Sequence, residues 1–409
     1  MSKFGLMSIA VFLFLSIIGK LLFPFGDEPD YESRVNRLAD SGFSIAHNLK
    51  DMGVNRSYYQ YYNISGNNTS KHFEAINRVH GCEVDAGARS LWASFNNECF
   101  TLNIKYLIPR VFFMLTLMTP LFFIMLFRRF AYKLFFSFNK ESYVDWNRKI
   151  DTLSLTIIFP GMIYNLGFIS IEVLFVVVSF FAFLFWSRLI LLSITLYLLY
   201  LIDDGNFIVI FLFVIGLKLF EKLYKLLGIR LYKYFLILFT LFSYFYGQIL
   251  INIVSELLNF EKLTHIVFQI NDGGYFTNIP LYLRPVIIFF SSIIFTPHGA
   301  KSIFLYILIV ILLIYALFIA YSKRKSFVGI NQISFHELNE SQWARFYTVI
   351  SLLSSFVFYI PTHANAKYYL FLFPFLIYFF LQYFGRQKIM FFFSIGSLVM
   401  LTNFLLYYL

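Results

Sequence analysis

Long apolar stretches recur along most of the chain, and short clusters of Lys and Arg separate them. About 20 apolar residues in a helix cross the hydrocarbon core of a bilayer, so this pattern predicts helices that cross a membrane repeatedly. Of the four stretches between residues 153 and 217, three are short for a full crossing. The predicted spans are residues 4–23, 107–127, 153–170, 173–186, 189–202, 207–217, 234–254, 302–321, 346–360, 368–384 and 389–408. We therefore expect an all-α polytopic membrane protein with about 11 transmembrane helices.

Two longer polar regions interrupt these spans. The first span has no small-residue cleavage site before Pro24, so we interpret it as a retained signal anchor. The segment from Pro285 to Pro297 has to be re-entrant or interfacial if the crossings are to agree with the charges that flank them. The expected organisation is a first transmembrane helix in residues 1–25, a large periplasmic loop one in 26–106, transmembrane helices two to seven in 107–255, periplasmic loop two in 256–301, and transmembrane helices eight to eleven in 302–409.

The basic clusters predict the orientation, because cytoplasmic connections of membrane proteins carry an excess of Lys and Arg. The short turns at Glu172 and at Asp203-Asp204-Gly205 carry no Lys or Arg. We expect the N-terminus in the cytoplasm, the C-terminus outside, and both long loops in the periplasm. The two largest basic clusters are Arg128, Arg129, Lys133, Lys140, Arg148 and Lys149, and then Lys218, Lys222, Lys225, Arg230 and Lys233.

The composition agrees with a membrane protein. Of 409 residues, 59% are hydrophobic, 22% are aromatic and only 13% are charged, and the mean hydropathy is +0.71. These values argue against a soluble fold. The net charge of +11 lies in clusters that flank the predicted spans, without a basic patch interleaved with aromatic residues, so we expect no nucleic-acid partner.

The two cysteines, Cys82 and Cys99, both lie in loop one. An oxidising compartment would let them form a disulfide that contributes about 3 kcal/mol. Two unpaired thiols are the alternative, because spacing alone does not decide between these states. The seven His are scattered, so we expect no zinc site of the Cys/His type.

Candidate chemistry concentrates in the outer loops. The ionisable candidates that we single out at the spans are Glu172 and Arg188, and both fall at span ends, which argues against ion-coupled transport. An acidic string, Asp27-Glu28-Pro29-Asp30-Tyr31-Glu32, directly follows the first span. One carboxylate at the interface would take a proton from an acceptor hydroxyl, and a neighbour would bind a divalent cation such as Mg²⁺ or Mn²⁺. The alternative is an acidic loop in which Pro29 sets a turn.

In this string the chain resembles the membrane-embedded GT-C glycosyltransferases, which carry an acidic pair in a large first external loop. Asp27-Glu28 and Glu28-Pro29-Asp30 both match that pattern, and Arg34 and Arg37 follow. A later segment, Lys367-Tyr368-Tyr369-Leu370-Phe371-Leu372-Phe373-Pro374, is similar to an Arg-Tyr-Phe-Leu-x-Pro segment of bacterial members, with Lys in place of Arg. The resemblance implies a GT-C-like fold, with Asp27, Glu28 or Asp30 as catalytic base or metal ligand and Lys367 on the carrier phosphate.

Loop two and the last outer turn add further polar residues. Arg284, His298 and Lys301 surround an apolar dip that would hold a lipid diphosphate, and His363 lies beside Lys367 in the last outer turn. Each also has a structural alternative, because polar and basic residues commonly occur at the ends of re-entrant or spanning helices. The candidate residues that bind substrate or lipid phosphate are Arg34, Arg37, Arg284, His298, Lys301, His363 and Lys367.

Two versions of a bacterial inner-membrane enzyme follow from this resemblance. The chain resembles O-antigen or capsule repeat-unit polymerases in length, span number, Phe content and its two outer loops, and this version is slightly favoured. A single-sugar GT-C transferase, modifying O-antigen or lipid A, fits the acidic motif better. Both would use an undecaprenyl-(pyro)phosphate-linked donor and a lipid-linked acceptor, and a polymerase would also meet a chain-length regulator protein. A polysaccharide flippase is the alternative from another class.

Overall fold

The computed structural model describes residues 2–22, 111, 114–136, 143–166, 171–202, 204–258, 307–308, 311, 314–315, 340–359 and 370–408. This part of the chain is helical and contains no strand. The all-α prediction is therefore confirmed for the described residues. Among them, no single helix is by itself long and apolar enough to cross a membrane, whereas Met114–Leu126 and Arg128–Phe135 meet that test together as a pair bent by 94°.

Two helices match the hydropathy pattern closely, whereas Arg128–Phe136, the first part of Tyr143–Thr156 and residues 218–233 of Asp204–Leu258 are helical where the pattern predicts connections. The helix Leu189–Ile202 has the predicted bounds, and Lys3–Leu22 differs by one residue at each end. In chain order the helices are α1 Lys3–Leu22, α2 Met114–Leu126, α3 Arg128–Phe136, α4 Tyr143–Thr156, α5 Pro160–Leu166, α6 Ile171–Leu184, α7 Leu189–Ile202, α8 Asp204–Leu258, α9 Glu340–Tyr359, the 3₁₀ turn Leu370–Leu372, α10 Phe373–Phe384 and α11 Arg386–Tyr408.

One predicted span is interrupted. The pattern predicts a continuous helix over residues 153–170, but α4 ends at Thr156 and α5 begins at Pro160. Proline lacks the backbone N–H and disfavours helical geometry in the residue before it, which accounts for the break at residues 157–159. A second interruption lies within residues 368–384, where a 3₁₀ turn precedes α10 and Pro374 lies in the first helical turn.

The described residues divide into two compact units, Met1–Ile208 with Phe404–Leu409, and Val209–Asn403. In the first unit α1 packs on α2 at a very close approach. The Ser2 amide donates to the Leu126 carbonyl at 3.2 Å, and a Cβ on Gly5 would lie 2.8 Å from the Met125 carbonyl oxygen. The absence of a side chain at Gly5 therefore lets the two backbones meet. Further along α1, Phe12 packs edge-on against Phe122 at 6.1 Å.

The second unit is built on a helical hairpin. Gly228 has φ +67° and interrupts α8, so that residues 204–227 form a first arm and residues 229–258 a second arm that turns back along it. Ring contacts show the reversal, since Tyr224 meets Tyr232 at 5.6 Å and Phe220 meets Phe239 at 5.2 Å. Glycine occupies this left-handed conformation without the steric cost that a Cβ imposes.

Helix α9 packs against both arms of this hairpin. Along the first arm it is antiparallel, because Phe213 meets Phe356 while Glu221 meets Arg345. Along the second arm it is parallel, because Tyr232 meets Thr348 and Ser243 meets Tyr359. The three segments enclose a core of Tyr232, Leu236 and Ala344, lined by Phe220, Leu223, Tyr224, Leu227, Ile229, Phe235 and Tyr347.

Candidate functional site

The residues predicted to carry chemistry lie outside the described part of the chain. The first described stretch ends at Leu22, shortly before the acidic string, and loop one, loop two and the turn at residues 362–367 lie outside the described residues. The predicted site residues that lie there are Asp27, Glu28, Asp30, Arg34, Arg37, Cys82, Cys99, Arg284, His298, Lys301, His363 and Lys367. Their roles, including the disulfide and the metal site, stay predictions.

Helix α1, which precedes the acidic string in the sequence, is held at its N-terminal end. Ser2 at the beginning of α1 contacts Leu126 and Arg128, which belong to the basic end of α2 and the start of α3. Helix α1 has 20 residues, so its C-terminal end lies about 30 Å from this basic end. The acidic string follows this remote end of α1 in the sequence.

A polar network surrounds the guanidinium of Arg128. It approaches the Asn147 side-chain oxygen at 3.5 Å and the Asp151 carboxylate at 3.4 Å, and it also contacts the Ser2 hydroxyl. The Trp146 indole donates to the Arg128 carbonyl at 2.8 Å. Asn147 and Asp151 are one helical turn apart and so share a face of α4. The network thus joins the beginning of α1, the bend between α2 and α3, and α4.

A second basic residue of the same cluster, Lys149, is almost fully buried, with 8% exposure. Its ammonium donates to the Leu184 carbonyl at 3.1 Å. Leu184 is the last residue of α6, where backbone carbonyls lack partners within the helix and the helix dipole is negative. Lys149 therefore caps α6, and its burial is explained by this contact.

The tip of the hairpin in the second unit carries the second basic cluster. Lys218, Lys222, Lys225, Arg230 and Lys233 are exposed there. Among them Glu221 accepts a hydrogen bond from Arg345 of α9 at 2.7 Å. Burial would raise the pKa of the Glu221 carboxyl, but the hydrogen bond and charge of Arg345, with the charges of Lys218 and Lys225, outweigh it and hold the pKa below its ordinary value.

Away from the tip, hydroxyl pairs join the second arm to α9. The Tyr232 and Thr348 hydroxyls lie 2.5 Å apart, those of Thr240 and Ser351 2.7 Å, and those of Ser243 and Tyr359 3.1 Å. A row of interhelical hydroxyl bonds is a device that joins helices in apolar surroundings.

These polar groups make structural contacts between helices. The described residues contain no group of three or more His, Cys, Asp or Glu placed to hold a metal ion. Arg188, one of the two ionisable candidates at the predicted span ends, lies between α6 and α7.

Searches against protein-family models, curated proteins and solved structures found no match to this chain. The resemblance to the GT-C glycosyltransferases therefore rests on the residues quoted above.

Sequence reasoning assigned Arg128, Lys149 and the hairpin cations to orientation alone and did not predict their partners. One signal was available in each unit. Asn147 and Asp151 recur at the i, i+4 spacing beside a basic span end, and Glu221 is a lone acid within a basic cluster. Such residues commonly pair with a neighbouring cation, but the sequence does not say which cation.

Proposed function

We propose that this chain is a polytopic enzyme of the bacterial inner membrane that transfers glycosyl groups during surface polysaccharide assembly. It takes O-antigen or capsule repeat units from an undecaprenyl-(pyro)phosphate-linked donor on the periplasmic face and polymerises them onto a lipid-linked acceptor. A single-sugar GT-C transferase that modifies O-antigen or lipid A is the second candidate, because the acidic motif in loop one favours it. The observation that carries the proposal is the acidic string immediately after α1.

The second arm of α8 supports a membrane location. Its inner stripe, Tyr232, Leu236, Ser243, Gly247 and Ile251, is buried in the unit. Its outer stripe is apolar and exposed, and consists of Tyr234, Leu238, Leu241, Phe245, Ile249, Ile253 and Leu257. This stripe is about 35 Å long, close to the thickness of a hydrocarbon core. A helix that is apolar on all sides is typical of a large core or a membrane, and here the outer side is uncovered in its own unit.

The sidedness of α1 supports a periplasmic site. The beginning of α1 contacts the basic end of α2, and Lys and Arg favour the cytoplasmic side. A helix of 20 residues that starts there ends near the other surface of a bilayer. The acidic string would then lie at the periplasmic boundary, where undecaprenyl-linked sugars are presented.

The proposed chemistry uses the string as a base. Asp27, Glu28 or Asp30 removes a proton from the acceptor hydroxyl, whose oxygen bonds to the anomeric carbon while the bond from that carbon to the carrier phosphate breaks. Lys367, Arg34 and Arg37 would offset the charge of the departing (pyro)phosphate. Carboxylate oxygens also suit Mg²⁺ or Mn²⁺, so the same string is the candidate site for a divalent cation.

The test is to replace Asp27 and Asp30 singly by Asn and Glu28 by Gln in the bacterium that carries the gene. The matched control is Asp51→Asn, which changes a carboxylate of the same loop outside the string. Membrane levels are measured by immunoblot, and the polysaccharide is separated on a gel. We expect at least one string variant to lose activity at normal abundance, while the control retains it.

The pattern of loss distinguishes the candidates. Loss of the long ladder with a single repeat unit retained identifies a polymerase. An intact ladder whose repeat unit has lost one sugar, shown by mass spectrometry, identifies the single-sugar transferase. Loss of every repeat unit, with lipid-linked precursor accumulating, indicates a flippase. If all three variants match the control, the string is structural and the catalytic assignment is wrong.

A further inference from the structure

Helix α3, Arg128–Phe136, leaves the direction of α2 at almost a right angle. The two helices are inclined at 94°, and the bend lies at Phe127. If α2 crosses the membrane, α3 therefore runs along its surface. This inference rests on the membrane location in the proposed function and is independent of glycosyl transfer.

The inner face of α3 is fixed to the rest of its unit. Ala131 is buried, Tyr132 packs against Tyr143 at 5.1 Å, and Phe135 packs against Phe185 at 5.1 Å. The polar network around Arg128 fixes the first residue of α3 on this same inner face. These contacts determine which face of α3 is buried and which is exposed.

The outer face of α3 combines cations with large apolar side chains. Arg129 and Lys133 are exposed, one turn apart, and Phe130 and Leu134 are exposed beside them at 57% and 61%. Phe127, itself 46% exposed, continues this apolar surface toward α2. We call Arg129, Phe130, Lys133 and Leu134 the elbow face.

We propose that the elbow face lies in the head-group region of the cytoplasmic leaflet and binds anionic phospholipid. Arg129 and Lys133 contact the lipid phosphates, and Phe130 and Leu134 enter the boundary of the acyl chains. Helices with basic and bulky apolar residues lie in this plane of a bilayer, and anionic lipids attract cations there. The basic composition, the right-angle bend and the cytoplasmic position of the first basic cluster together favour a lipid surface over a protein partner.

Probe depth in reconstituted full-length protein tests the position of this face. A polarity-sensitive thiol dye is attached at Phe130→Cys or Leu134→Cys, and quenching is compared for lipids that carry bromine near the head group or deep in the chain. Protein without an added cysteine measures the contribution of Cys82 and Cys99. Both probes should be quenched by the shallow bromines and to equal extent, because a helix in the membrane plane keeps them at one depth. If α3 instead continued along the membrane normal, the two depths would differ by about 6 Å.

Selectivity for anionic lipid is measured with the same Leu134→Cys probe. Brominated phosphatidylglycerol is mixed with plain phosphatidylcholine, and the relative binding constant is obtained from quenching. Replacing both Arg129 and Lys133 by Gln should reduce this constant by up to about 25-fold, or about fivefold per cation. The matched control, Lys222→Gln with Lys225→Gln, removes the same charge from the hairpin tip and should leave quenching at position 134 unchanged.

A probe at Phe14→Cys separates the possible failures. Phe14 is 64% exposed within α1, so lipid should quench it strongly if the membrane location is right. Quenching at position 14 but not at 130 and 134 would overturn the elbow proposal alone. If the unquenched dyes at 130 and 134 also report an apolar environment, the elbow face is covered by protein and not by lipid. Absence of quenching at all three positions would overturn the membrane location as well. Quenching of equal strength by both lipids would overturn the preference for anionic lipid.

Discussion

Arg345 donates a hydrogen bond to Glu221 at 2.7 Å and so joins α9 to the first arm of the hairpin in the second unit. The pair lies at the tip, where the chain reverses and exposed cations surround the carboxylate. The hydrogen bond also explains why the pKa of Glu221 lies below its ordinary value although burial opposes this shift. The one acid of the basic cluster is therefore the residue that connects the tip to α9.

Removing this pair should have a small, pH-dependent effect on stability. Glu221→Gln should lower stability at pH 7 by up to about 1 kcal/mol, because the pair is partly exposed. A carboxyl with a lowered pKa contributes stability at neutral pH and loses it as the pH falls below the ordinary value of 4.5. Thermal unfolding of purified wild type and variant should therefore converge in acid. In a double-mutant cycle with Arg345→Gln, the double variant should lose no more stability than either single variant.

The Tyr232 and Thr348 hydroxyls should respond asymmetrically to substitution. Thr348 donates its one proton to the Ala344 carbonyl at 2.7 Å, so Tyr232 is the donor in the bond between the two hydroxyls. Tyr232→Phe should cost about 0.5–1.5 kcal/mol, whereas Thr348→Val, which leaves a buried phenol without its acceptor, should cost about 1–3 kcal/mol. Denaturation in a mild detergent checks both values. A double variant that is less stable than Thr348→Val alone would contradict the assignment of donor.

Gly228 should be required for its backbone conformation alone. It has φ +67°, and a Cβ at this position would meet nothing within 4 Å. With ψ at 165°, this backbone conformation is open to essentially no residue except glycine. Gly228→Ala and Gly228→Asn should therefore both lower the unfolding free energy, each by about 1–3 kcal/mol. Thermal unfolding ranks the three proteins. Equal stability of all three would mean that the hairpin reverses without a left-handed residue.

Gly5 should also be sensitive to substitution, but because a side chain at this position would overlap the neighbouring helix. A Cβ there would meet the Met125 backbone oxygen at 2.8 Å, and relieving this overlap requires α1 and α2 to separate. Gly5→Ala should cost about 1–3 kcal/mol. Gly216→Ala is the matched control, because the three atoms nearest its Cβ belong to the Leu352 side chain, at 3.1–3.8 Å, and not to a backbone. If both variants unfold at the same temperature, the close approach of α1 to α2 is not maintained.

The hydropathy pattern predicts the bounds of α1 and α7 closely because each apolar run is a local property of the chain. It does not predict α3 or the helical connection at residues 218–233, which are not apolar. It does not predict the approach at Gly5 or the bond from Tyr232 to Thr348 either, because these depend on which helices become neighbours. The break before Pro160 follows from the proline itself, which an apolar pattern does not take into account.

The candidate site, too, is only partly predictable from the sequence. The acidic string is recognisable because carboxylates beside an apolar span are costly without a use. Whether Asp27 lies near Lys367 or His298 depends on how loops one and two fold together, and local composition does not contain this information. The contact of Ser2 with Leu126, which joins the beginning of α1 to the end of α2, is likewise a tertiary feature that local composition does not contain.

Opposite sidedness of the acidic loop and the hairpin tip is the prediction on which a periplasmic active site depends. In intact cells a membrane-impermeant maleimide should label Asp51→Cys in loop one but not Lys225→Cys at the tip, and inverted vesicles should give the reverse. Cys82 and Cys99 are measured in the same experiment and should react only after reduction if they form a disulfide. Disruption of the membrane should make both added thiols reactive, which controls for burial. Labelling of positions 51 and 225 from the same side would mean that an even number of crossings separates them. Either Asp27 and Glu28 would then face the cytoplasm, or the hairpin tip would face the periplasm.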